Sequence, residues 1–365
     1  MLNYFCPNKD CKNNDNPPED WYIKKGYYRT GHNRQPVPRY QCKCCKTKFS
    51  SRTFKDDYRH HKPAFNLEVF NLLCSGVSQR RTAIVLKINR NTVIRKFQWL
   101  AFKSRCIHED FIKAGVLKTS YVQFDEMETY ETEKCLPLSI ALAVRPKTGQ
   151  IIEAKVGQFR SHGYLTHKAM EKYDYDQRPD SRATACRKVL KKIKKCEKKD
   201  ITIVTDGKPH YRTLVQDEIS EAKHKVCPRT GTMSRGSKND MFGVNVACAR
   251  LRHDIGRLSR RTWDTTKKAF GLQLHLDMFI SFQNHYNMKD SPFGKYTGKQ
   301  FLYGYKLYTK CLRKSFYSDE KKEYNLIAEM KIRKEKLKER KNKDKIEDEI
   351  QKAWLAYGWS LKKFK

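Results

Sequence analysis

Two apolar runs that each end in an aspartate set the tightest limits on this chain. Tyr121-Val122-Gln123-Phe124 runs into Asp125 and Glu126, and Ile201-Thr202-Ile203-Val204-Thr205 runs into Asp206. Short runs rich in β-branched and aromatic residues read as strands inside a packed domain. A carboxylate at the end of a buried strand is costly unless an opposite charge meets it. Magnesium suits such a place, because it takes one or two carboxylates and keeps its other positions for water and phosphate.

The residues around these runs alternate between strand and helix patterns. Leu138–Val144 reads as a strand, Pro146-Lys147-Thr148-Gly149 turns it, and Ile151–Val156 returns, which predicts an antiparallel meander after Tyr121–Phe124. Residues 180–196 read as a basic helix with Cys186, Val189, Leu190 and Ile193 on one face. A helix around Tyr211, Leu214 and Val215 follows the Ile201 strand, and Lys223–Cys227 reads as a short fifth strand. The order βββαβαβα is that of a ribonuclease-H-like domain, in which the first and fourth strands lie side by side. Asp125 and Asp206 would then meet, and two metals about 4 Å apart could activate a nucleophile and stabilise a leaving oxygen on a phosphodiester. Glu126, next along the strand, is expected to point to the opposite face and is the weaker candidate. The plainer reading makes both aspartates strand-end turn residues, as the pair Asp206-Gly207 allows.

Charge narrows the partners. With 77 Lys and Arg against 40 Asp and Glu the formal net charge is +37, and the pI is about 9.7. Such a balance points to a polyanion, nucleic acid before an anionic membrane surface. No stretch of about 20 apolar residues is present, so no membrane span is expected, and Met1–Cys6 lacks the layout of a signal peptide. The expected setting is the reducing cytoplasm, associated with the nucleoid. There the 13 cysteines are thiols or metal ligands rather than disulfides.

Four of those cysteines form two pairs. Cys6-Pro7-Asn8-Lys9-Asp10-Cys11 and Cys42-Lys43-Cys44-Cys45 flank a hairpin-length polar and aromatic insert, the pattern of a closed tetrahedral zinc site. Cys6, Cys11, Cys42 and Cys45 are the expected ligands of one structural zinc. Cys44 would point elsewhere, and Phe49 would plug the fold behind the knuckle. So small a ribbon draws its folding energy from the metal. DNA contact and protein contact both remain open for it, and four free buried thiols are the bland alternative.

A helical pattern follows. Leu67, Phe70, Leu73 and Cys74 recur at helical spacing and Gly76 breaks the helix. Ser78 caps Gln79–Leu86, and Asn89 or Asn91 caps a third helix carrying Val93, Ile94, Phe97 and Leu100. This is the layout of a helix-turn-helix whose last helix enters a major groove. Arg90, Asn91, Thr92 and Arg95 would face DNA, and Lys96 would touch phosphate. An ordinary three-helix bundle with a charged surface is the competing reading.

The chain resembles bacterial insertion-sequence transposases of the DDE type. The resemblance rests on the zinc ribbon, the helix-turn-helix, Phe124-Asp125-Glu126-Met127, Thr205-Asp206 with Tyr211, and the segment Leu251–Trp263, which reads LRHDIGRLSRRTW. It covers roughly residues 1–287. It implies a ribonuclease-H-like catalytic domain, two magnesium or manganese ions, and cleavage and strand transfer at inverted-repeat ends by a homo-oligomer bound to transposon and target DNA. It also implies a third acid about two turns before Leu251-Arg252, where this chain has Asn245. Asp240 is the first candidate for that role and Asn245 the second, with a helix cap as the bland reading of Asp240. Asp254 lies among arginines, where an ion pair is the simpler explanation. Arg250, Arg252, Arg257, Arg260, Arg261, Lys267 and Lys268 are expected to form a phosphate-binding patch. Leu272, Leu276, Phe279, Ile280 and Phe282 read as a core helix with structural His275 and His285 at its edges.

The organisation expected is therefore multidomain α+β. Residues 1–55 form a zinc ribbon, 60–108 a helix-turn-helix bundle, and 116–290 an α/β catalytic domain with a mixed sheet. Residues 291–365 form a basic C-terminal extension, helical or partly disordered. Two rivals stand beside a transposase: a non-enzymatic DNA-binding regulator, or a decayed copy, and a nuclease that cleaves without strand transfer.

Overall fold

A computed structural model describes residues 5–29, 36–173, 178–227, 239–259, 264–285 and 298–317. The first three strands, β1 (Tyr22–Arg29), β2 (Pro36–Cys42) and β3 (Lys48–Ser50), form an antiparallel sheet in the order β1-β2-β3. The remaining five are β4 (Thr119–Tyr130), β5 (Pro137–Arg145), β6 (Gln150–Gln158), β7 (Glu197–Asp206) and β8 (Lys223–Cys227), ordered β6-β5-β4-β7-β8. β4, β5 and β6 are antiparallel, while β7 runs parallel to β4 and β8 parallel to β7. All five expected strands form, and the first and fourth of them are neighbours. Leu138 to Val144 of β5 are buried throughout, as a strand covered on both faces requires.

Helices α5 (Arg182–Cys196) and α6 (Pro209–Glu218) cover one face. Cys186, Val189, Leu190 and Ile193, at helical spacing, pack with Val122, Phe124, Ile203 and Tyr211. Helix α8 (Ala269–His285) closes the outer edge of β6 with side-chain amides. Gln273 accepts from the Val156 N–H and donates to the Ala154 carbonyl, both at 3.0 Å, and Asn284 meets the N–H and C=O of Ile151 at 2.9 and 2.7 Å. An otherwise open strand edge is thereby satisfied. Helix α4 (Tyr164–Lys172) was not expected from the sequence.

The helix-turn-helix consists of α1 (Asn66–Cys74), α2 (Gln79–Val85) and α3 (Arg90–Lys113). Both expected caps form: Ser78 Oγ accepts from the Arg81 N–H at 3.3 Å, and Asn89 Oδ1 from the Asn91 N–H at 2.8 Å. The boundary expected at residue 108 does not. Helix α3 continues for 24 residues. Phe97 and Leu100 pack with Leu274 and Met278 of α8 and with Tyr305 of α9 (Gly298–Phe316), and Ile112 enters the core of the sheet. Residues Met1–Leu312 accordingly form one compact unit, with Arg313–Lys365 set apart as a second. Most of the expected C-terminal extension lies outside the described residues.

Three side chains correct the sequence reading. Lys96 is buried rather than turned to phosphate. Its ammonium donates to Asn66 Oδ1, and burial pushes its pKa down to about 8. His275 sits in the core rather than at the helix edge, with Nε2 2.7 Å from the Leu73 carbonyl. Burial first, then the charge of Arg257, push it down to about 3, so it is a neutral structural histidine. Asp240 does not cap the helix that follows it; Asn239 Oδ1 accepts the Met241 N–H at 2.8 Å instead.

A buried ion cluster joins α3 to the sheet. The Arg105 guanidinium lies 2.6 Å from Glu153 Oε2 on β6, 2.5 Å from Glu109 Oε1 and 3.7 Å from Asp277 Oδ1 on α8, and Lys192 meets Glu109 at 2.7 Å. Glu153 has no exposed side-chain surface. Burial alone would raise its pKa, but Arg105 and Lys155 hold it well below the usual carboxylate range. Arg105→Ala strands that charge, so we expect a loss of about 3–5 kcal/mol in urea unfolding. Lys113→Ala removes only an exposed pair with Asp110 and should cost under about 1 kcal/mol.

Candidate functional site: a carboxylate cluster on the sheet and a four-cysteine centre

The expected cysteines meet. Cys6, Cys11, Cys42 and Cys45 present sulfurs that all lie within 4.8 Å of one another, while Cys44 is exposed. Cys6 and Cys45 Sγ are 3.4 Å apart, Cys11 and Cys42 Sγ 3.7 Å, close to the roughly 3.8 Å edge of a tetrahedron with 2.3 Å Zn–S bonds. Backbone groups support the sulfurs. Burial raises the Cys6 thiol and the backbone of Asn8 only partly offsets it. Cys11 is raised as well, against the backbone of Asn13, whereas Cys42, despite burial, is brought below its usual value by the Asn13 side chain and the backbone of Cys45 and Cys44. Asn13 Nδ2 also donates to Cys42 Sγ at 3.4 Å. Phe49 takes the plug position, stacked on Trp21 at 5.0 Å between centroids. The donor set fits one zinc.

The aspartates are brought together by register. Gln123 of β4 pairs with Val204 of β7, and Val204 with Lys225 of β8. Two residues on, Asp125, Asp206 and Cys227 therefore share one face, where β7 and β8 end and the β4–β7 pairing stops. β4 itself runs on to Tyr130 against β5, so Asp125 lies within its strand rather than at its end. Asp206 is buried and accepts the Lys208 N–H at 3.2 Å. Burial and then the charge of Asp206 raise the pKa of Asp125, opposed by Lys208.

Glu126 keeps to the other face, that of Phe124, as alternation requires, yet it joins the cluster. The Tyr211 hydroxyl is 3.3 Å from Asp125 Oδ1 and 3.1 Å from Glu126 Oε2, so one phenol meets both carboxylates. His210 Nε2 lies 3.2 Å from Glu126 Oε2, and the Ser139 hydroxyl donates to Glu126 Oε1 at 2.7 Å. Burial raises the Glu126 pKa, but Ser139, Lys208, His210 and Tyr211 together bring it below the usual value. Sequence reading missed Lys208 and His210. The available signal was Asp206-Gly207-Lys208-Pro209, a turn that restarts as a helix directly behind the carboxylate.

Of the third-acid candidates, Asp240 is held by the edge strand beside Cys227. Asp240 Oδ2 is 2.6 Å from Lys225 Nζ and accepts from Cys227 Sγ at 3.5 Å, and its carbonyl accepts from the Gln123 amide. Asn245 is exposed on α7 (Phe242–Asp254). The α7 side chain that senses Asp125 is Cys248, one turn further on. Burial and the Asp125 charge push its thiol up to about 12, with Arg252 opposing.

Among the expected DNA contacts, Arg90, Asn91 and Arg95 are exposed and Thr92 and Arg252 half-buried. Arg257 departs from the surface reading. It packs over the Phe97 ring at 5.7 Å, and burial, opposed by Asp264, lowers its pKa to about 10. Arg260 and Arg261 lie outside the described residues.

No family model matches the chain, and no curated protein does. Among solved structures, the crystal structure of the Mos1 Strand Transfer Complex is similar at 12% identity and a TM-score of 0.25, over 70% of this chain and 79% of that chain. A likeness at that score does not establish a shared fold. What the residues themselves define is a mixed α/β protein with a zinc-compatible cysteine centre and a carboxylate cluster where β7 ends beside β4.

Two measurements check these centres. Elemental analysis should find one zinc per chain, and Cys42→Ser should release it and unfold the ribbon, seen as lost protection of β1–β3 in hydrogen exchange. For Asp125 the folded pKa exceeds the unfolded one. Its contribution to stability is thus present at low pH and lost as pH rises from about 4 through the raised folded value. In zinc-loaded protein without added magnesium or manganese at pH 7, Asp125→Asn should therefore stabilise the fold in urea unfolding, and the gain should vanish below about pH 4.

Proposed function

We propose that this chain is a DDE-type insertion-sequence transposase, binding inverted-repeat ends and performing metal-dependent DNA cleavage and strand transfer. The observation that carries the reading is the parallel register of β4 and β7, which ends at Gln123 and Val204 and sets Asp125 and Asp206 on one face two residues further on, close enough for the Asp206 charge to act on Asp125. The strand order β6-β5-β4-β7-β8, three antiparallel strands then two parallel to the first, agrees with the expected ribonuclease-H-like fold. Asp125 and Asp206 would hold magnesium or manganese through oxygen, with Tyr211 fixing the orientation of the Asp125 carboxylate. A metal bound there would favour deprotonation of the attacking water or hydroxyl and steady the departing oxygen. Asp240, on leaving Lys225, or Asn245 would complete the ligand set.

Charge supports a nucleic-acid partner beyond the net total. From Trp21 to Lys55 there is no Asp or Glu, against ten Lys and Arg. The ribbon would thus meet phosphate, while Arg90, Asn91, Thr92 and Arg95 at the start of α3 read bases in a major groove, Arg at guanine and Asn at adenine. Arg252, with Arg260 and Arg261, would hold the backbone near the cluster, and the enzyme would act in the cytoplasm as a homo-oligomer.

A second reading, a DNA-binding protein without activity or a decayed copy, is favoured by one observation: Asp240 is already paired with Lys225, and Asn245 brings no charge. Duplexes carrying the inverted repeats that flank the coding region discriminate the two. With magnesium or manganese, the enzyme should nick them at the repeat ends, and Asp125→Ala or Asp206→Ala should abolish nicking by orders of magnitude while binding persists. End binding with no nicking in any metal would favour the second reading. Arg95→Ala should weaken end binding by about 1–3 kcal/mol in either case.

A further inference from the structure

We infer that Lys208 supplies a fixed positive centre at the carboxylate cluster, so that the site takes one divalent ion rather than two. The inference rests on the metal-binding reading of Asp125 and Asp206. Lys208 holds both aspartates at once. Its N–H donates to Asp206 Oδ1 at 3.2 Å, and its ammonium lies 3.8 Å from Asp125 Oδ1 and 3.7 Å from Glu126 Oε2. The ammonium also donates to the Tyr211 hydroxyl at 3.2 Å. The backbone is set for this. Lys208 precedes Pro209, which disfavours helical geometry, and its φ of −67° and ψ of 122° are extended. The N–H turns back to Asp206 while the side chain crosses to Asp125. The side chain is 26% exposed, so a phosphate can reach the ammonium.

Charge then limits what the site can load. Asp125, Glu126 and Asp206 bring three negative charges, and Lys208 leaves a net of two, the charge of one magnesium ion. Asp240 adds nothing while Lys225 neutralises it at 2.6 Å, and Asn245 is neutral. In the protein without substrate, and with Asp240 paired to Lys225, a second divalent ion would sit against an ammonium already lodged among the same carboxylates. As a compact point charge, a lysine ammonium can serve where that ion would contact the substrate phosphate.

Manganese titration of the full chain, with zinc retained in the ribbon, tests this by calorimetry and by the electron paramagnetic resonance of bound manganese. Asp125→Asn serves as the blank. The wild type should bind one ion that the blank loses. Lys208→Met should admit a second ion or bind the first at least about tenfold tighter, and Lys208→Arg should keep the wild-type count. Two blank-sensitive ions in the wild type, or a Lys208→Met variant unchanged in both number and affinity, would overturn the inference and leave the aspartate site standing. No blank-sensitive ion at all would instead overturn the metal-binding reading itself, and the inference with it.

Discussion

The parallel pairing of β4 with β7 is the contact on which the rest of the molecule depends. A parallel neighbour needs a crossover, here the segment between β6 and β7 that includes α5, and α5 needs an apolar face to cover. Val122, Phe124 and Ile203 supply that face. Because the pairing is in register from Gln123 and Val204, the two runs end at the same height. A shift of one residue would send Asp125 and Asp206 to opposite faces. The cost of gathering carboxylates is visible in the raised pKa of Asp125, and it is tolerated because Lys208 and Tyr211 stand in the gap.

Much of this was legible in the sequence, because period-two patterning and cysteine spacing are local signals. The five strands, the meander, the two helix caps and each of the two cysteine pairs follow from residues close in the chain, while the neighbouring first and fourth strands follow from the order of the elements. What was not legible depends on contacts between distant segments. Nothing local separates Lys96, which is buried against Asn66, from a lysine that faces phosphate. Arg257 looks like one more arginine in a basic run until Phe97 and Asp264 arrive beside it from elsewhere in the chain.

The carboxylate cluster shows the same division. Asp206 could be placed from its strand end and Glu126 on the other face by alternation, but β4 runs on past Asp125 to Tyr130. Alternation could not show that a tyrosine from α6 touches both Asp125 and Glu126. Nor could it place Asp240, whose partner Lys225 lies fifteen residues earlier on the edge strand.

The unbroken length of α3 has a consequence for distance. At 1.5 Å per residue its 24 residues form a rod of about 36 Å. One end carries the residues proposed to read bases. The other is riveted to β6 by Arg105 and sunk into the core of the sheet at Ile112. A tether between a reading head and a cutting site lets the two wander, whereas a rod makes their separation a property of the fold. In a DNA-processing enzyme built this way, the number of base pairs between the sequence recognised and the bond attacked would be measured out by the protein like a gauge.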